Sequence, residues 1–172
     1  LRFNLALQYE KKEEYQLAIM HLNKAVQLNP EYVKAIKKWK ALAEVSENQD
    51  EFLIAESFMV SLEGNADDYY DLARKLHKNK QLSLAIDWYD RAVDKGKTGP
   101  WPYYWKGKAH EGLGDLNEAK KGYLSALSET PLHKFSLYRM YLMLSETDQN
   151  AAQDYLNKLR TNYPDFVKEK NL

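Results

Sequence analysis

The stretch Tyr103-Tyr104-Trp105-Lys106-Gly107-Lys108-Ala109-His110-Glu111-Gly112-Leu113-Gly114-Asp115-Leu116-Asn117-Glu118-Ala119, continued by Tyr123, Ala126 and Pro131, decides the reading of this sequence. It places a small residue, Gly107, inside one helical run and a second series of small and large residues, Ala119, Tyr123 and Ala126, at helical spacing in the next. Gly112-Leu113-Gly114-Asp115 lies between them as a turn. Two helices joined by a short turn, each with small residues on the facing side, can approach closely while the large residues fill the gaps beside the crossing.

Working outward, the second series recurs five times: Ala18, Leu22, Ala25; Ala55, Met59, Leu62; Ala85, Tyr89, Ala92; Ala119, Tyr123, Ala126; and Ala152, Leu156, Leu159. The leading alanines are 37, 30, 34 and 33 residues apart. About thirteen residues before each stands a large-then-small pair: Leu5-Ala6, Leu42-Ala43 and Leu72-Ala73, with Lys106-Gly107 and Arg139-Met140 as weaker copies. The spacing predicts helices over 2–11, 14–28, 32–46, 50–62, 67–79, 82–95, 101–112, 115–129, 133–146 and 149–162. Asp50, Asp67, Asp115 and Asp148 stand at expected helix starts, where a short acceptor side chain satisfies a free backbone N–H. Pro100 and Pro102 flank another start, where a missing donor costs nothing.

The rest of the composition agrees. Seven Gly and five Pro in 172 residues leave little sequence for strands and tight turns, and 44% hydrophobic residues are enough for a core. Lys plus Arg and Asp plus Glu each number 25, and dividing after Ile86 gives 12 basic and 13 acidic residues, then 13 and 12. Neither half carries the basic excess that binding to nucleic-acid phosphates or anionic lipid calls for. The absence of Cys removes disulfides, thiolate metal sites and cysteine nucleophiles. No apolar run suits a membrane span and no signal-peptide pattern opens the chain, so the expectation is cytoplasmic, or periplasmic if a signal lies upstream. Leu1 to Ala6 already reads as helix interior, as in a domain cut from a longer protein.

The quoted stretch closely resembles a full repeat of the tetratricopeptide family, and the first segment, with Leu5, Ala6, Tyr9, Ala18, Leu22, Ala25 and Asn29-Pro30, is similar. The resemblance covers nearly the whole chain. It implies an all-α fold, an α-solenoid of about five helix-turn-helix hairpins in a right-handed superhelix. The repeats fall at 1–31, 32–65, 66–99, 100–132 and 133–165, with 166–172 as a capping or continuing segment.

No constellation for chemistry accompanies the repeats, and no catalytic residue, cofactor or metal site is assigned. His21, His77, His110 and His133 lack metal-ligand spacing, and His110 takes a packing position where the family usually has Tyr. Glu13-Glu14 and Asp67-Asp68 fall at turns or helix starts, where the dipole favours acids. Gly96-Lys97-Thr98-Gly99 lacks the Gly-Lys-Ser/Thr ending of a phosphate loop. Lys34, Lys37 and Lys38 read as one exposed stripe by three-and-four spacing, so that Lys38→Leu is expected to change little.

Thirteen Tyr and four Trp exceed what hairpin packing needs. In similar folds the first helices of successive hairpins line a concave face. The faces left after assigning packing residues carry Lys37, Lys40 and Glu44; Tyr70, Asp71, Arg74 and His77; Trp101, Tyr104, Trp105 and Lys108; and Lys134, Leu137, Tyr138 and Tyr141. From these the expected partner-binding groove is Tyr70, Asp71, Arg74, Trp101, Tyr104, Trp105, Lys108, Tyr138 and Tyr141, because Trp, Tyr and Arg dominate interface energetics. A carboxylate clamp of the kind some relatives use is not expected, since Phe3 and Leu7 stand beside Asn4 at its places. The expected function is a non-enzymatic scaffold holding a peptide or folded protein, with neither nucleic acid nor membrane insertion and with self-association left open. The alternative is the accessory domain of a bacterial glycosyltransferase or polysaccharide-assembly protein, with the aromatics stacking on sugars.

Overall fold

The computed structural model describes residues 1–172 and contains eleven helices and no strand. They are α1 (Arg2–Glu10), α2 (Tyr15–Leu28), α3 (Val33–Val45), α4 (Gln49–Glu63), α5 (Ala66–Lys78), α6 (Leu82–Asp94), α7 (Trp101–Gly112), α8 (Leu116–Glu129), α9 (Lys134–Leu144), α10 (Gln149–Asn162) and α11 (Pro164–Lys170). The chain divides into two compact units, Leu1–Lys75 and Leu76–Leu172. In the first, α1 packs on α2, α2 on α3 and α3 on α4; in the second, α6 to α11 pack in succession along the chain. No helix is long and apolar enough to cross a membrane.

The turn inside each of the first four hairpins needs one residue in the left-handed region, and it recurs at repeat spacing: Glu13 (φ 60°), Glu47 (φ 52°), Lys80 (φ 63°) and Gly114 (φ 82°). Only the fourth hairpin meets that demand with glycine, the residue without a Cβ penalty there.

Helix starts follow the capping rule, with a correction. Asp115 and Asp148 accept from the backbone N–H groups of Glu118 and Ala151 at 3.3 and 3.0 Å. The other two caps are Asn48, accepting from Glu51 N–H, and Asn65, accepting from Asp67 and Asp68 N–H. Asp68 in turn accepts from Asn65 N–H at 2.9 Å, closing a reciprocal capping box. Asp50 and Asp67 therefore sit in first turns, beside the dipole they favour, rather than at the caps.

All five leading alanines are buried. Where α7 crosses α8, Gly107 and Gly122 face each other so closely that a Cβ on Gly122 would lie 2.7 Å from Gly107 Cα. The two weak copies of the first-helix pattern are also explained. Lys106 replaces the usual large apolar residue and donates to both carboxylate oxygens of Asp90 on α6, at 2.6 and 2.8 Å. Arg139 reaches Glu111 on α7 at 3.3 Å. In each, a long stem can fill the gap while its head group finds a carboxylate.

In the first unit Glu56 performs a similar task. It is buried on α4, and its Oε1 accepts from Lys40 on α3 at 3.1 Å and Lys75 on α5 at 2.8 Å. Trp39, fully buried on α3, donates its indole N–H to Glu51 at 2.7 Å. The expected free stripe on α3 is corrected here, because Lys38 is half-buried and ion-paired with Glu10 on α1 at 3.0 Å. Spacing along one helix is blind to a partner 28 residues away.

Candidate partner-binding surface

The expected groove residues divide between the units. In the first, Tyr70, Asp71 and Arg74 follow one another along α5. Burial raises the Tyr70 phenol above its ordinary pKa, with the Arg74 guanidinium pulling it back and Asp71 pushing it up, so the three share one electrostatic neighbourhood.

In the second unit α7 supplies Trp101, Tyr104, Trp105 and Lys108, and α9 supplies Tyr138 and Tyr141. Tyr104 corrects the sequence reading. Its side chain is 9% exposed and lies in the core with Tyr123, Ala126, Met140, Leu144 and Ala152. Around its ring stand Trp105 at 5.2 Å, His133 at 5.4 Å, Tyr123 at 5.8 Å, and Trp101 and Phe135 at 5.9 Å. Leu137, also expected on the free face, is fully buried beside Leu159 and Val167. Trp105 is half-buried, edge-on to His77 at 5.4 Å. Tyr138 and Tyr141 are half-buried, the former edge-on to Phe166.

Lys108 is tied into a network. It meets Glu111 at 3.3 Å, Arg139 meets the same oxygen, and the Tyr123 hydroxyl donates to the other at 2.5 Å. Burial, then the hydrogen bond to Glu111, push the Tyr123 phenol far above its usual range, so it stays a donor at any ordinary pH. Glu111 thus joins α7, α8 and α9, and Lys108 helps neutralise it.

What remains at the surface is a ladder of rings at the N-terminal ends of α7, α9 and α11. Trp101 is 42% exposed and Phe135 36%. Their centroids are 5.7 Å apart, and Phe135 lies 6.2 Å from Phe166. The Lys134 ammonium lies over Phe135, Phe166 and Tyr163 at 4.9, 5.0 and 5.9 Å. Phe135 and Phe166 were not among the expected site residues. The signal was present, since 101, 135 and 166 follow one another at close to the repeat period.

Beneath the ladder His133 is buried, edge-on to Trp101 at 4.8 Å, with Nδ1 2.8 Å from the Ser136 hydroxyl and Nε2 without a hydrogen-bond partner. Burial lowers its pKa, so the fold favours the neutral ring. The unfolded chain then takes up the proton first as pH falls. His133 costs nothing above the ordinary histidine value of ~6.5, and stability is lost as pH drops through that value towards the lower folded one. Denaturation midpoints between neutral pH and pH ~5 should therefore fall less steeply for His133→Phe than for the unaltered chain. Parallel profiles would show that this ring does not titrate on unfolding.

Two family models, both described as tetratricopeptide repeat, match the chain, one over residues 1–32 and 102–131 and the other over 136–165. No curated protein matches it. Among solved structures, MamA is 19% identical, with 95% of this chain and 96% of that one covered and a TM-score of 0.62. YrrB, described as a TPR protein with an unusual peptide-binding site, is 22% identical over 99% and 91% of the two chains, with a TM-score of 0.61. PilW, described as a type IV pilus biogenesis factor, is 15% identical over 93% and 75%, with a TM-score of 0.54. At these identities the structures speak for the fold, and the two repeat models together match more than half of the residues, from the first hairpin to the last: the chain belongs to the tetratricopeptide repeat family.

Proposed function

We propose that the chain is a protein-interaction scaffold, not an enzyme, and that it holds a peptide or a folded protein on the ring ladder of its second unit. The observation that carries this reading is the exposure of Trp101 and Phe135 above the buried rings of Tyr104 and His133, with Phe166 continuing the row and Lys134 beside it. Large aromatic side chains already held by neighbours offer contact area at little further ordering cost. Trp105, Lys108, Tyr138 and Tyr141 flank the ladder in the proposal, and Tyr70, Asp71 and Arg74 form a separate contact patch on the first unit. That a relative of this fold, YrrB, is described as having a peptide-binding site is in keeping with the reading.

The test is a displayed-peptide selection on the intact chain, followed by affinity measurements on Trp101→Ala combined with Phe135→Ala. With an anchor worth ~2 kcal/mol, the double variant should bind the selected peptides at least ~30-fold more weakly while keeping its helical spectrum. Undiminished binding would move the functional surface elsewhere, and a chain that takes oligosaccharides but no peptide or protein would favour the sugar-stacking alternative.

A further inference from the structure

His133 lies under the ladder with one nitrogen that nothing in the protein satisfies. The side chain is buried, its Nδ1 meets the Ser136 hydroxyl at 2.8 Å, and Nε2 has no hydrogen-bond partner. Three rings pack on the imidazole: Trp101 at 4.8 Å, Tyr104 at 5.4 Å and Phe135 at 5.9 Å. They differ in freedom. Tyr104 is held in the core, whereas Trp101 and Phe135 are the exposed rungs of the ladder. The movable part of the cover over His133 is therefore the ladder itself.

The site accepts a neutral ring and rejects a charged one. Protonation would turn Nε2 into an N–H donor without an acceptor and add a buried charge. His133 is also the N-cap of α9, where the helix dipole opposes a cation. The neighbouring charges do not offset this. Lys134 lies over Phe135 and Phe166, and Lys170 lies over Phe166 at 5.6 Å, both of them positive. On α11, Asp165 and Glu169 pair with Lys168 and Lys170. From α7 the one titratable group on the imidazole is the Tyr104 phenol, which ionises far above the histidine range. No carboxylate pairs with His133, and burial alone moves its pKa, downward.

A protonated His133 thus gains by reaching water, and it does so by parting Trp101 from Phe135. We infer that His133 is a pH-sensitive latch under the ladder: neutral, it seats Trp101 and Phe135 for a partner, and protonated, it swings out between them and releases the partner. A partner lying across the two rings holds the imidazole in its buried, neutral state. Binding and protonation then oppose each other, so affinity is full above the ordinary histidine range and is lost as pH falls through it. The inference rests on the reading of the ladder as the binding surface.

The test uses the intact chain and a peptide selected on it that contains no Asp, Glu or His and has blocked ends, so that the peptide itself does not titrate. Its Kd should be at least ~3-fold weaker at pH ~5 than at pH ~7.5. In His133→Phe and His133→Gln, both neutral at every pH, the two values should agree. Far-UV spectra at both pH values separate release from unfolding. In the ligand-free chain the Trp101 indole N–H resonance, assigned by its loss in Trp101→Phe, should shift with the same midpoint as the His133 ring signals and stay still in His133→Phe. Saturating peptide should move that midpoint to lower pH. A Kd that does not change with pH, or a change of equal size in both His133 variants, overturns the inference. So does a Trp101 resonance that ignores the His133 titration. A selection that returns no peptide dependent on Trp101 and Phe135 strikes the ladder reading instead, and the ligand-free resonance then decides by itself whether the latch exists.

Discussion

Tyr104→Ala is expected to destabilise the protein by about 3–4 kcal/mol and to lower its melting temperature by roughly 10 °C. The ring is 9% exposed and makes aromatic contacts with Trp101, Trp105, Tyr123, His133 and Phe135. Truncation forfeits the transfer energy of a large ring and the edge-on contacts, each adding about 0.5–1.5 kcal/mol beyond buried area. It also leaves a hole that cannot readily collapse, because the residues around it belong to α7, α8, α9 with its N-cap His133, and α10, and are fixed by their own helix contacts. A denaturant midpoint that moves by less than about 1 kcal/mol would mean that the cluster repacks freely. Since this residue was expected to be a partner contact, the consequence for binding studies is direct. A loss of binding in Tyr104→Ala reports on unfolding, and the test of the surface must use Trp101 and Phe135.

The hairpins were legible because their signal is redundant. Five alanines at a period near the family value, each with a large residue four positions on, cannot easily arise on any other fold, and all five are buried. Helix starts were legible to within two residues and no better, since Asn48 and Asp50, or Asn65 and Asp67, are equally good acceptors and only the turn geometry chooses. The faces of α7 and α9 were the least legible. On α7 the consecutive residues Tyr103, Tyr104 and Trp105 put an aromatic ring on most sides of the helix, and on α9 Leu137, Tyr138, Met140, Tyr141, Leu142, Met143 and Leu144 do the same with apolar groups. With no polar side to set against the apolar one, helical periodicity does not say which way the helix faces. Tyr104 and Leu137 were misplaced for that reason. Lys38 was misplaced for another, because its carboxylate partner comes from a different helix.

Gly122→Ala decides whether helix propensity or close approach rules the middle of α8. Propensity alone favours the substitution by ~1 kcal/mol, since glycine is the poorer residue inside a helix. Geometry opposes it. The new methyl would lie 2.7 Å from Gly107 Cα, 2.8 Å from Gly107 N and 3.0 Å from the Tyr103 carbonyl oxygen, all of them backbone atoms that no rotamer change can move. Relief requires α8 to back away from α7, breaking a packed crossing in which Gly107 also meets Tyr123 and Ala119. The expected net loss is about 2–3 kcal/mol, the overpacking cost outweighing the propensity gain. Gly112→Ala supplies the contrast. Its methyl would meet only the flexible end of Leu82, so the change should stay within about 0.5 kcal/mol of neutral. The crossing also supports the surface. Trp101 stands on α7, and Phe135 on α9 packs against it at 5.7 Å, with α8 packed on both helices. Moving α8 should therefore weaken binding at the ladder without touching a contact residue. Equal stabilities for the two alanine variants, measured by denaturant unfolding, would show that α7 and α8 can part at little cost and that the paired glycines do not set their distance.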